Sequence, residues 1–342
     1  MKLANRRALP LWMSLAATVA LAEPPKYQLT KRMPLSGDGS WDYVTLDARA
    51  HRLYIAHATQ VLVIDEGSGK QVGAIPDTPG VHGVALVPEL GRGYISNGRD
   101  DSVTVFDTKS LKPLGKVKAG TNPDAIMYEP VSRRVFVFNG RSHDATVIDP
   151  VKQEAVATLA LDGKPEFAVA DGTGRVFVNL EDKAQLAVID ARKPEVLARW
   201  PLAPCEEPTG LAIDTKNHRL FAGCSNELMA VVDADKGKVV TTLPIGEGVD
   251  ATAFDPATHL AFSSNGDGTL TVVHQDAPDQ YRVVQTVPTA PGARTLALDP
   301  ASHRVYLVTA KLGPAPAPSA ENPHPRPTIA PGSFELLQVE AK

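Results

Sequence analysis

A chain of 342 residues that is 43% apolar and 22% charged has the balance of a globular protein, which excludes a disordered or collagen-like chain. Its 29 prolines and 26 glycines interrupt helices too often for a helical architecture and favour an all-β fold, while two cysteines exclude a disulfide scaffold and a four-thiolate zinc site. The net charge of −4 gives phosphate backbones no general counterpart, so charge argues against nucleic acid as a partner.

In chain order, the first expected element is a leader. Lys2, Arg6 and Arg7 precede an apolar run from Ala8 to Leu21 that ends in small residues, the pattern of a secretory signal peptide over 1–22 cleaved before Glu23. Arg6-Arg7 leaves twin-arginine export open beside the general route. No later stretch reaches the length of a membrane span, so a soluble periplasmic or secreted protein is expected. Loss of the leader leaves 32 Lys and Arg against 39 Asp and Glu, a net charge of −7.

Residues 23–342 then read as one repetitive domain. An apolar strand, an acid, a turn and an aromatic strand recur, with the aromatic at Tyr54, Tyr94, Phe136, Phe177, Phe221, Phe262 and Tyr306. The spacings of 40, 42, 41, 44, 41 and 44 residues match one four-stranded propeller blade each. A seven-bladed β-propeller is expected, with four antiparallel strands, A to D, per blade. Strand A of the first blade begins at Trp41, which leaves the strand-like Tyr27 to Leu35 without a partner, and the last blade ends after strand C at Phe334 to Val339. The N-terminal strand should complete that blade and close the ring, removing exposed edges.

Two repeats, YISNGRDDSVTVFD from Tyr94 and VFVFNGRSHDATVID from Val135, resemble those of the YVTN family of propellers, to which YncE-like periplasmic proteins belong. The resemblance spans essentially all of 23–342. It implies an exported propeller used for binding, probed against two alternatives: a metal-dependent hydrolase of the lactonase type, and DNA binding, which is attributed to some YncE-like proteins. The fold alone does not choose among them.

Candidate chemistry lies on the face formed by the D-to-A and B-to-C loops, taken as the top. Alignment of the strand A entrances puts Asp42, His82, Asp124, Glu166, Thr209, Asp250 and Arg294 in a ring at the channel mouth. Four carboxylates in one ring repel unless a cation, a bound water network or Arg294 compensates, which points to a divalent metal ion or a polar ligand held over the channel. The B-to-C loops add Arg99 and Arg141, and His57, His82, His143 and Asp124 form a candidate metal set. In the last blade this loop expands into a proline-rich insertion, 311–332, expected to cross the top face as a stiff lid that brings His324 to the mouth. His51, His218, His259 and His303 recur in the A-to-B turns, which points to turn chemistry on the bottom. Cys205, in the D-to-A loop entering blade 5, and Cys224, at the top end of strand B, should form a disulfide. No Gly-x-Ser-x-Gly elbow, His-Glu-x-x-His, CxxCH or P-loop is present. A small-molecule or protein partner bound by a monomer, without catalysis, is therefore the leading expectation.

Overall fold

The computed structural model describes residues 23–317 and 327–342, so the expected leader lies outside the described residues. Seven sheets of four antiparallel strands form the chain, and its only helices among the described residues are two single 3-10 turns, Pro88–Leu90 and Glu181–Lys183. Six blades are built from consecutive strands. In the seventh, strand A is Leu296–Asp299, strand B Arg304–Thr309 and strand C Glu335–Ala341, and the outer strand is Tyr27–Pro34 from the other end of the chain. These two terminal strands pair antiparallel from Tyr27 with Ala341 to Pro34 with Glu335, closing the ring as the unpartnered N-terminal strand required. No helix among the described residues is long and apolar enough to cross a membrane.

The core lies between blades rather than within them. All seven marker aromatics are completely buried. Apolar side chains on both faces of strands B and C, such as Leu53, Tyr54, Ile55 and Ala56, pack against the sheets on either side and give seven clusters, one for each blade junction. A blade buried on both faces in this way cannot swing independently, and the strand A entrances are held as a rigid ring.

The bottom-face turns show why the same residues recur there. His51, His218, His259 and His303 all adopt left-handed backbone, with φ between 51° and 60°. Arg133, Gly91 and Gly174 take the same place, with φ of 54°, 60° and 103°, in blades 3, 2 and 4. Three of the histidines engage carboxylates through Nδ1: His51 on Glu66 (3.2 Å) and His218 on Asp235 (2.8 Å) within their own blades, and His303 on Asp255 of the preceding blade (2.6 Å). Their repetition follows from turn geometry, as the sequence suggested.

Candidate functional site at the channel mouth

Strand A does not enter each blade straight. In blade 1 Trp41 pairs with His57 and Val44 with Ile55, so one extra residue is accommodated between them, and the same shift occurs at Val81/Val84, Pro123/Ile126, Pro165/Ala168, Pro208/Leu211 and Val249/Ala251. Each of these six bulges falls on the ring position. A bulge bends the strand and re-aims a side chain, and here it turns the ring residue toward the axis.

Neighbouring blades fix the ring from outside. Strand B of blades 2, 4 and 6 carries Ser96, Asn179 and Ser264, whose side chains donate to the carbonyls of Asp124 (2.5 Å), Thr209 (2.9 Å) and Arg294, each the ring residue of the next blade. Thr295 likewise donates to the Asp42 carbonyl (2.9 Å). Thr209 itself donates through its hydroxyl to the carbonyl of Val249 (2.9 Å), which leaves blade 5 as the neutral member of the ring.

The result is a cup of about 710 Å³ that gathers Asp42, His82, Asp124, Glu166, Asp250 and Arg294 with Arg99 and Arg141. Its charges fall into sectors. His82 Nδ1 lies 2.5 Å from Asp42 Oδ2 and 3.5 Å from Asp124 Oδ1. Arg294 meets Asp250 at 2.7 Å, and Lys164 bridges Glu166 (2.8 Å) and Glu181. Asp42, His82 and Asp124 each present one ligand atom within 4.8 Å of the others. One nitrogen and two carboxylate oxygens form a donor set suited to a divalent cation of borderline hardness.

Burial of like charges sets the protonation of the cup. Asp124 is raised to about 7, first by burial and then by Asp42 and Asp250, against the opposing pull of His82. Glu166 rises to about 8 through burial and Asp124, although Lys164 opposes the shift. Asp250 rises to about 6 by burial, offset in part by Arg294. Burial alone would lower His82, but its hydrogen bond to Asp42 and the Asp124 carboxylate raise it to about 9. Protons near neutral pH thus do what a bound cation would do: they relieve the repulsion among these acids.

The floor is a feature that the ring alignment passed over. The residues following the ring positions are Tyr43, Gly83, Ala125, Phe167, Gly210, Ala251 and Thr295. Five are small, and the two aromatics meet edge to face across the channel, with ring centroids 5.4 Å apart. Gly210 has no alternative, since a Cβ there would lie 2.7 Å from the Ala251 backbone. Tyr43 is only 8% exposed, and burial followed by the four ring carboxylates pushes its phenol well above the ordinary value, so it remains a donor. Below this pair the channel continues as a second, more apolar cavity of about 720 Å³ past Leu46, Leu86 and Met127.

Other expected site residues lie elsewhere. His57 does not reach the cup: it is 1% exposed beneath Gly37, its ring tilted against that of Phe334 with centroids 4.4 Å apart, and burial lowers its pKa. His143 occupies the left-handed position of the blade 3 B-to-C hairpin (φ 56°) and is exposed. The candidate metal set of His57, His82, His143 and Asp124 is therefore reduced to His82 and Asp124, and Asp42 replaces the two histidines. His324 lies outside the described residues. The insertion is pinned at its base by the Leu312–Ile329 bridge and by the Gly332 N–H donating to Asp38 (2.8 Å), and none of its described residues lines the cup. Cys205 and Cys224 form the expected disulfide, with Cα atoms 5.4 Å apart.

The fold is that of a seven-bladed propeller. Solved structures that share it include hydrazine synthase of Kuenenia stuttgartiensis (16% identity over 86% of this chain and 96% of that one, TM-score 0.66) and U3-55K (9% identity, 92% and 99% covered, TM-score 0.75). The RRP9 WD40 repeats are similar too (10% identity, 93% and 99% covered, TM-score 0.77). At such identities the likeness concerns the fold alone. No family model and no curated protein matches the chain.

Proposed function

We propose that this chain is an exported propeller of the YVTN, YncE-like type that binds a small positively charged ligand in its top-face cup, with a divalent metal ion held by Asp42, His82 and Asp124. The observation that carries this reading is the convergence of those three side chains in a cup whose remaining acids, Glu166 and Asp250, already have Lys164 and Arg294 as partners. Export is supported by the basic and apolar pattern of residues 1–22 and agrees with a disulfide, which persists in oxidising compartments. The carboxylate-lined cup gives the DNA-binding alternative no support.

Calorimetric titration with Mn²⁺ tests the reading. Because the cation displaces protons from His82 and Asp124, affinity should rise between pH 6 and pH 9. Asp42→Asn with Asp124→Asn should lower affinity by at least about tenfold. Equal binding by wild type and variant, or none by wild type, would refute the site. A lactone hydrolysis assay with and without chelator, run on the same samples, separates a binding protein from the hydrolase alternative, which would use the same ligands to activate water.

A further inference from the structure

Two kinds of positive charge face the cup. Lys164 and Arg294 are engaged by ring carboxylates at 2.8 and 2.7 Å. Arg99 and Arg141 line the same cavity and are exposed, and their guanidinium groups have no ion-pair partner among the described residues.

These two arginines occupy matching loops. Asn97-Gly98-Arg99 and Asn139-Gly140-Arg141 each follow strand B, and their backbone N–H groups donate to the loop that enters the same blade. Gly98 and Arg99 reach the carbonyls of Gly80 and Pro79 (2.8 and 3.2 Å), and Gly140 and Arg141 reach those of Asn122 and Thr121 (2.9 and 3.1 Å). The arginines are thereby tied to the very segments that deliver His82 and Asp124. Blade 6 forms the same hairpin without arginine. There Gly266 and Asp267 donate to Gly248 and Glu247 (2.9 and 3.2 Å), and the Asp267 carboxylate is occupied by the N–H groups of Glu247 and Thr269. The hairpin therefore needs Asn-Gly and not arginine, so the arginines of blades 2 and 3 have no role in forming it. At the floor, Tyr43 is more than nine-tenths buried, lines the cup, and its hydroxyl makes no hydrogen bond to the described residues.

We infer that the cup recognises a dipolar ligand, whose positive centre sits among Asp42, His82 and Asp124 and whose attached carboxylate is held at the rim by Arg99 and Arg141. The inference rests on the proposed cation site and adds the second half of the ligand. Guanidinium is suited to the task because its planar donor fork matches a carboxylate. Tyr43 closes the depth of the site and offers its hydroxyl to an acceptor atom between the two ends. A cavity of about 710 Å³ suits a small molecule. The same chemistry has two sources: an amino-acid zwitterion, or a metal ion carried as its carboxylate complex.

Calorimetry on the intact chain with four probes, Mn²⁺, Mn²⁺–citrate, ethylamine and β-alanine, distinguishes them. β-Alanine should bind more tightly than ethylamine if the ligand is a zwitterion, and Mn²⁺–citrate more tightly than Mn²⁺ if it is a complex. Arg99→Gln with Arg141→Gln, both at exposed positions, should weaken the favoured dipolar probe by about tenfold and shift the bare cation by less than about twofold. A dipolar probe that gains nothing over its bare cation, or that binds the double variant unchanged, overturns the inference and leaves the cation site standing. Failure of all four probes on the wild type overturns both.

Discussion

The two faces of this ring carry acids at repeated positions and treat them in opposite ways. On the bottom, turn aspartates are caps. The hydroxyl and N–H of Ser68 hold Asp65 below the usual carboxylate range, the N–H and hydroxyl of Ser110 do the same for Asp107, and the N–H groups of Lys152 and Val151 overcome burial to lower Asp149. On the top, Asp124, Glu166 and Asp250 are buried among one another and pushed upward. The residue type is the same; what differs is whether backbone donors or other acids surround it. An acid repeated with its backbone donors is held ionised as part of the scaffold, whereas acids buried together stay raised even with His82, Lys164 and Arg294 beside them.

Four measurements would break or sharpen this contrast. The largest effect concerns the neutral sector of the top face, blade 5, where the Cys205–Cys224 bond closes the loop covalently. Cys224→Ser should cost about 3 kcal/mol in a denaturation experiment, and an unchanged midpoint would mean that the loop bonds alone suffice.

Second comes the pH dependence. A carboxyl whose pKa is higher folded than unfolded keeps a proton that the unfolded chain has lost, so its stabilising effect is present at low pH and declines as pH rises through the folded value. The cup acids, at about 6, 7 and 8, and His82, at about 9, therefore all predict stability that falls between about pH 4 and pH 9. The depressed bottom aspartates predict the reverse: their contribution is lost only as pH drops through their lowered values. Asp124→Asn should flatten the decline and stabilise the protein at pH 8 by roughly 2 kcal/mol while weakening Mn²⁺. Asp149→Asn should instead destabilise it; equal behaviour of the two variants would erase the distinction between faces.

Third, Gly98→Ala would place a Cβ 2.6 Å from His82 Nε2 and from Asn122 Nδ2. Both are side-chain ends that can shift, so thermal stability should change little while Mn²⁺ affinity drops by about tenfold. The smallest effect belongs to the bottom turns. His51→Asn keeps a residue tolerant of left-handed backbone and should change stability by less than about 0.5 kcal/mol, whereas His51→Val should cost about 1 kcal/mol or more.

Most of the fold was legible because its signals are periodic: aromatic strand centres every 40 to 44 residues fix the blade count, and the orphan strand from Tyr27 fixes the closure. The ring residues were legible for the same reason, since alignment of seven copies finds equivalent positions without knowing which way they point. What alignment could not show is the bulge, which has no composition of its own, and hence that Tyr43 and Phe167, each one place after a ring position, meet beneath the ring. The signal was there in the seven residues from Tyr43 to Thr295, five of them small and two aromatic. Lys164 escaped because only its neighbour Glu166 was aligned, although a lysine two residues from a buried acid is a natural counterion. His57 was misplaced because a hairpin end was equated with the mouth, whereas Gly37 of the N-terminal segment and Phe334, just before the last strand, cover that end.

The joint between Tyr27–Pro34 and Glu335–Ala341 has a consequence in time. Tyr27–Pro34 is made before the six consecutive blades that follow it and finds its neighbour only once Glu335–Ala341 has been made, so those blades must wait as an open arc. Until that late handshake the strand entrances of blades 1 and 7 have no fixed separation. The cup, which takes Asp42 from one and Arg294 from the other, is thus completed only when the ring closes.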